Sequence, residues 1–247
     1  MPPLSQTFAV RHIESGVNGR LTAPAFLDLF QEIAGNDADR LGFSLDALAQ
    51  RRLTWMLLRL FVRFDAPLPR LGDALTLTTW PSGHNGLSAW RDAVAVDTDG
   101  QALARVTTQW VIVDLDRRRP TRLPDDLYGF ERPDLGRLDL ADTPPTAPET
   151  VTDAAQVFVR RSDLDANRHA NNARYVEWAL EPLANGFLDA HRLATLDVLW
   201  KAEAFRGDRL EAIAGPDASG EPLAFAHAVA HADGRTSALV RTRWHTV

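Results

Sequence analysis

The sequence contains no cysteine. A disulfide framework, a thiolate nucleophile, a cysteine-ligated zinc and a redox CxxC pair are therefore excluded together. Any chemistry must run on carboxylates, imidazoles, hydroxyls, amides or water. Lysine is nearly absent too: of 27 lysines and arginines, only Lys201 is a lysine. A formal net charge of −6 and the want of a basic stripe argue against nucleic acid as a partner. No apolar run reaches the roughly 18 residues of a membrane span. The opening MPPLSQTFAVRHIE has no charged segment leading into an apolar one. Neither a membrane anchor nor a signal peptide is expected, and the expected location is the cytoplasm. GxSxG, HExxH and phosphate-cradling glycine loops are missing as well, and no metal or cofactor is expected. What is present is an ordinary globular chain: 247 residues, 45% apolar, room for one large domain or two of about 120 residues.

The chain echoes itself. FAVRHIESGVNGRLTAPAFLDLFQEIA near the start and VFVRRSDLDANRHANNARYVEWALEPLA past the midpoint align without a gap when Asn18 is set on Asn167. Arg11 then meets Arg160, Phe26 meets Tyr175 and Asp28 meets Glu177. GQALARVTTQW at 100–110 and GRTSALVRTRW at 234–244 share Gly, Ala, Val, Thr and Trp in register, and Gly72-Asp73 and Gly207-Asp208 both precede strands. Three echoes in one order indicate two copies of a module of about 110 residues.

Each copy reads as a short strand (6–14, 155–162), a polar turn, an amphipathic helix and four strands. The helix faces are Phe26, Leu27, Phe30 and Ile33, and Tyr175, Val176, Ala179 and Leu183, the second helix running over 170–185. The later strands are expected near 53–65, 73–83, 86–98 and 102–114, then 193–203, 208–215, 222–232 and 236–246, with alternation clear in Leu75-Thr76-Leu77-Thr78. A strand, a long helix and an antiparallel meander is the order of a hotdog module. The expected fold is α+β, a double hotdog whose tandem modules form one extended antiparallel sheet with each long helix wrapped by it. Module boundaries fall at 1–114 and 153–247, joined by an irregular proline-rich linker at 115–152.

The densest polar cluster, SDLDANRHANN, lies where the second strand hands over to its helix: Asp163, Asp165, Asn167, His169, Asn171 and Asn172. Asp and Asn are the residues a helix start uses for caps, so capping explains part of the cluster. The first copy builds the same turn with Gly16 at Asp165, Arg20 at His169, Leu21 at Ala170 and Thr22 at Asn171. A turn that needed this polar set only to fold would need it twice. Glu203 is a second candidate, since the first copy has Leu68 there. His227 and His231 stand roughly 13 Å apart on one strand face, too far for one metal, and read as a surface or pocket-rim pair. Trp55, Trp80, Trp90, Trp110, Trp200 and Trp244 lie on expected strands and read as core. The arginine runs at 117–122 and 160–161 read as solvated strand ends.

SDLDANRHANNARYVEWALE resembles the motif D-x-N-x-H-x-N-N-x-x-Y of acyl-acyl-carrier-protein (acyl-ACP) thioesterases. TWMLLRLFVRF, the Gly72-Asp73 strand start, Trp90-Arg91-Asp92 and WVIVDLDRRRPTRLP are similar to that family's first half, and the likeness runs from about Phe8 to Trp244. The resemblance implies hydrolysis of fatty acyl-ACP with Asp165, Asn167, His169 and Glu203 as catalytic residues. The position after Glu203, a cysteine in many plant members, is Ala204. It implies acyl carrier protein, bearing a phosphopantetheine-linked acyl chain, as partner, with no nucleic acid and no membrane, and a homodimer as one form of assembly. Phe26, Phe30, Trp55 and Leu57 are candidates to line the acyl chain, and core packing explains them as well. An acyl-CoA thioesterase, another hotdog enzyme such as a hydratase, and a non-catalytic acyl-binding sensor are the competing expectations.

Overall fold

A computed structural model describes residues 1–136 and 143–247. The chain divides into two compact units, Met1–Leu140 and Ala141–Val247. The first contains β1 (Leu4–Ala9), α1 (Ala23–Arg40), α2 (Leu45–Gln50), β2 (Leu53–Phe64), β3 (Ala74–His84), β4 (Ser88–Val96), β5 (Ala102–Asp114) and β6 (Arg119–Thr121). The second contains β7 (Asp153–Phe158), α3 (Asn172–Leu180), α4 (Asn185–Ala190), β8 (His191–Trp200), β9 (Arg209–Pro216), β10 (Ala224–His231) and β11 (Thr236–Thr246).

Within the first unit the strands pair antiparallel in the order β1-β3-β4-β5-β2. Within the second they pair β7-β9-β10-β11-β8. Element for element these are the same order. Each unit is a hotdog module, and the chain is a double hotdog.

Local chemistry accounts for the elements. In β3, Leu75 and Leu77 are buried while Thr76 and Thr78 face outward and exchange hydroxyl hydrogen bonds with Thr7 and Ser5 of β1, at 2.9 and 2.8 Å. Period-two alternation of this kind belongs to a sheet covered on one face. The cover is α1, which packs on β1 and β3. The Thr22 hydroxyl accepts the Ala25 N–H at 3.3 Å to start that helix, and Phe26, Leu27, Phe30 and Ile33 form its buried face.

In the second unit Asn171 accepts the Ala173 N–H at 2.8 Å, and α3 lays Tyr175, Val176 and Ala179 on β9, β10 and β11. The expected helix over 170–185 is shorter than its spacing suggests. It ends at Leu180 because Pro182 has no N–H to continue the ladder, and the carbonyl of Trp178 takes the N–H of Glu181 instead. Leu183, on the expected helix face, is buried in the turn that follows.

The segment expected as irregular linker is tied down at both ends. β6 pairs with β5, and Leu123 packs with Phe43, Leu48 and Ile112. Thr152 donates its N–H to the carbonyl of Ala214 at 2.9 Å. Thr150 crosses β9 so closely that a Cβ on Gly215 would stand 1.9 Å from its carbonyl oxygen, so only glycine fits there. Residues 137–142 of that linker lie outside the described residues. Among the described residues no helix is long and apolar enough to cross a membrane.

Candidate active site

The polar cluster folds as a clamped loop. After β7, Asp163 accepts the N–H of Arg160 at 2.6 Å, and a bridge between Leu164 and Ala170 closes residues 165–169 into a hairpin. Asp165 donates its N–H to the carbonyl of His169 at 2.8 Å. Its Oδ1 accepts the N–H groups of Asn167 at 2.8 Å and His169 at 3.2 Å. One oxygen of this carboxylate is thus occupied in shaping the loop, as in other Asx-type turns. Arg168 sits at φ 65°, the left-handed turn the loop requires. Asn167 is exposed at the tip.

His169 points out of this loop to Glu203, with Nδ1 3.1 Å from Oε1. Its ring stands T-shaped to that of Phe205 at a centroid separation of 5.1 Å. Glu203 lies past the end of β8, on a connection braced by hydrogen bonds, two of them on the Ala204–Phe205 peptide. The carbonyl of Ala204 accepts the N–H of Ala170 at 2.9 Å, and Asp208 accepts the N–H of Phe205 at 2.9 Å. The two side chains are 34% and 45% exposed, so the pair is open to water and to a ligand.

Four backbone bonds of this turn recur in the first unit. Gly16 to Arg20, Gly19 to Gly16, Leu21 to Pro69 and Thr22 to Glu14 match Asp165 to His169, Arg168 to Asp165, Ala170 to Ala204 and Asn171 to Asp163, all between 2.8 and 3.0 Å. The Gly-Asp pairs match as well: Asp73 accepts the N–H of Arg70 just as Asp208 accepts that of Phe205, both at 2.9 Å. The sequence marks those pairs only as strand openings, and their role as braces shows in the hydrogen bonds. The first turn differs in its side chains. Arg20 donates from Nη1 to the carbonyl of Leu68 at 2.8 Å, in the place of the His169–Glu203 contact.

The remaining candidates fall elsewhere. Phe26 and Phe30 are wholly buried on α1, Phe26 edge-on to Phe64 at 5.7 Å. Leu57 is buried on β2, and Trp55 is half-buried, donating its indole N–H to the carbonyl of Phe43 at 3.0 Å. Trp80, Trp200 and Trp244 are buried, while Trp55, Trp90 and Trp110 are half-buried. Arg91 ion-pairs with buried Asp37 of α1 at 2.6 Å, and Asp92 is buried beside Thr107. The expectation of a surface or rim pair fails for His227. It is fully buried under α3, its Nε2 2.9 Å from the Thr242 hydroxyl, because α3 covers the face of β10 that His227 occupies. Burial holds its imidazole down at about 4. Among the described residues no group of three or more His, Asp or Glu side chains is placed to hold a metal.

The tandem modules put the chain in the double-hotdog class. The sequence profile of the acyl-ACP thioesterase N-terminal domain matches residues 4–130 and that of the C-terminal domain residues 147–246, so the chain belongs to the acyl-ACP thioesterase family. The chloroplastic oleoyl-acyl carrier protein thioesterase of Coriandrum sativum is 29% identical over 231 residues, covering 86% of this chain and 62% of that protein. The chain thus spans less than two thirds of that relative's length. Two solved structures share the fold. An acyl-ACP thioesterase from Bacteroides thetaiotaomicron superposes with a TM-score of 0.86 at 21% identity, covering 98% of each chain. The 12:0-ACP thioesterase of Umbellularia californica gives 0.82 at 23% identity, covering 99% of this chain and 98% of that one.

Proposed function

We propose that this chain hydrolyses the thioester of fatty acyl-ACP, releasing free fatty acid and the phosphopantetheine thiol of the carrier. The observation that carries this reading is the His169–Glu203 contact, built on a turn whose twin in the first unit folds without it. Membership of the family supplies the substrate class.

The geometry suggests roles for the four residues. Glu203, with Oε1 3.1 Å from Nδ1 of His169, favours the tautomer protonated on Nδ1, which leaves Nε2 with its lone pair, the form needed to take a proton from water. Asp165 holds the loop that displays Asn167 and His169. The exposed amide of Asn167 is the donor we assign to the oxyanion that forms as water adds to the thioester carbonyl, and the positive N-terminal end of α3 adds to that field. In this reading the N-terminal module, residues 1–114, holds the acyl chain, with Phe26, Phe30, Trp55 and Leu57 as its lining. The relatives' names include oleoyl and 12:0 substrates, so chain length is not inherited from them.

The test is a series of acyl-ACPs of increasing chain length with a thiol-trapping dye. The expected result is equal amounts of free thiol and free fatty acid. A hydratase releases no thiol, and a sensor binds without turnover; either outcome, across acyl-ACP and acyl-CoA alike, sinks the reading. Single-turnover hydrolysis in oxygen-18 water then separates two routes. Label confined to the released acid supports attack by water, whereas label in Asp165 or Glu203 reveals an anhydride with the enzyme.

A further inference from the structure

One pair of positions differs between the two turns in a coordinated way. Where the second unit has Tyr175 and Ala204, the first has Phe26 and Pro69. Tyr175 is 2% exposed, and its hydroxyl oxygen accepts the backbone N–H of Ala204, itself fully buried, at 2.8 Å. In the first unit proline offers no N–H and phenylalanine no acceptor, so neither half of the bond exists and no buried donor is left unpaired. The second unit has both halves. A phenylalanine at 175 with an N–H at 204 would leave that donor orphaned in the core.

The held N–H belongs to the peptide that joins Glu203 to Ala204. The following peptide, Ala204–Phe205, is held at its carbonyl by Ala170 and at its N–H by Asp208. On the preceding side Ala202 donates its N–H to the carbonyl of Ser237 at 3.2 Å, so Tyr175 supplies the restraint on the peptide that bears the Glu203 carbonyl. Rotation of that peptide would carry the carboxylate away from Nδ1 of His169. In the first unit the matching Leu68–Pro69 peptide is held from its other side, its carbonyl accepting from Arg20 Nη1 at 2.8 Å, and no side chain at position 68 has to be aimed. Burial, with the carboxylates of Glu203, Asp208 and Asp165 nearby, pushes the Tyr175 phenol up to about 12, so it stays a neutral hydroxyl.

We infer that Tyr175 is a positioning residue, holding the Glu203–Ala204 peptide so that Glu203 meets His169. The inference rests on the proposed thioesterase reading of that pair. Tyr175→Phe should lower kcat by at least about tenfold and leave KM within about twofold, when assayed well below its melting temperature. Adding Ala204→Pro to that variant rebuilds the Phe–Pro pair of the first unit and removes the orphan donor. The double variant should regain its melting temperature and keep the lowered kcat, because the orphan donor is gone but so is the hold on the peptide. An unchanged kcat in Tyr175→Phe overturns the inference, as does a double variant that regains kcat along with its melting temperature. Amide hydrogen exchange gives a second readout that needs no turnover. Exchange at Ala204 in Tyr175→Phe should quicken by at least about tenfold, with the amides of β8 unchanged; equal exchange in both proteins overturns the inference. A wild-type chain that releases no thiol would sink the proposed function, and the exchange comparison would still decide whether Tyr175 holds this peptide.

Discussion

In the first unit Arg20 reaches across its turn to a backbone carbonyl, that of Leu68; in the second, His169 reaches across the matching turn to the carboxylate of Glu203. A bond to a carbonyl asks nothing of the side chain at position 68 and leaves no group to exchange a proton. A contact with a carboxylate depends on the side chain at position 203 and, in the proposed reading, leaves the other imidazole nitrogen for proton transfer. Both turns cap a helix, with Thr22 and Asn171, and both close through four matching backbone bonds. Folding therefore accounts for what the turns share, and the surplus in the second is what remains for chemistry.

The largest effect expected from breaking this contrast is on turnover. His169→Ala should lower kcat/KM for acyl-ACP about a thousandfold, within the range for loss of a general base, or about 4 kcal/mol of transition-state stabilisation. The mirror variant, Arg20→Ala, should leave kcat within about twofold, since its bond only ties the first turn to the backbone at Leu68, within the first unit. Steady-state kinetics on both variants decides the matter. A full-speed His169→Ala would remove the proposed base, and a crippled but folded Arg20→Ala would erase the distinction between the turns.

A second contrast lies under the helices. Trp110 donates to Thr108 in the first unit and Trp244 to Thr242 in the second, at 2.8 and 2.9 Å. In the first, the threonine hydroxyl goes on to the carbonyl of Arg91; in the second it bonds the ring of His227, where the first unit has Ala93. Burial lowers His227 from an ordinary 6.5 to about 4. Between those values the unfolded chain takes up a proton that the folded chain refuses. The stability concerned is fully present above about pH 6.5 and is lost as pH falls towards 4, by about 3 kcal/mol in all. Urea unfolding of the wild type and of His227→Leu across this window should show a steeper acid loss in the wild type. Parallel pH slopes would mean that the imidazole is solvated after all.

Much of this was legible beforehand, for identifiable reasons. Ungapped alignment of Asn18 on Asn167 works because the two turns have the same backbone bonds, and Leu75-Thr76-Leu77-Thr78 alternates because one face of β3 is covered. The reading stopped where one residue type serves two purposes. A carboxylate in a polar turn accepts backbone N–H groups or acts on a ligand, so the loop-bracing bonds of Asp165 could not be foreseen from its identity. In Ala226-His227-Ala228-Val229-Ala230-His231 small residues occupy both faces, so periodicity did not reveal which face α3 covers. A helix pattern that continues to Leu183 on one face likewise concealed the stop at Pro182.

The smallest expected effect tests whether the two turns are equivalent as backbones. Gly19 and Arg168 occupy the same place, at φ 69° and 65°. For any residue with a Cβ this conformation costs about 1 kcal/mol. A Cβ on Gly19 would meet nothing nearer than the Arg70 guanidinium at 4.0 Å, so strain and not crowding sets the outcome there. Gly19→Ala should therefore lose about 1 kcal/mol. Arg168→Gly relieves the strain but frees the unfolded chain, a cost of roughly 0.4–1 kcal/mol. Its net change should be a gain of less than about 1 kcal/mol, and urea midpoints read both values. If the arginine only tolerates the turn, kcat in Arg168→Gly stays at the wild-type level. A fall in kcat at undiminished stability would instead assign the Arg168 guanidinium to the site. The second turn would then hold a charged group at a position where its twin has no side chain at all.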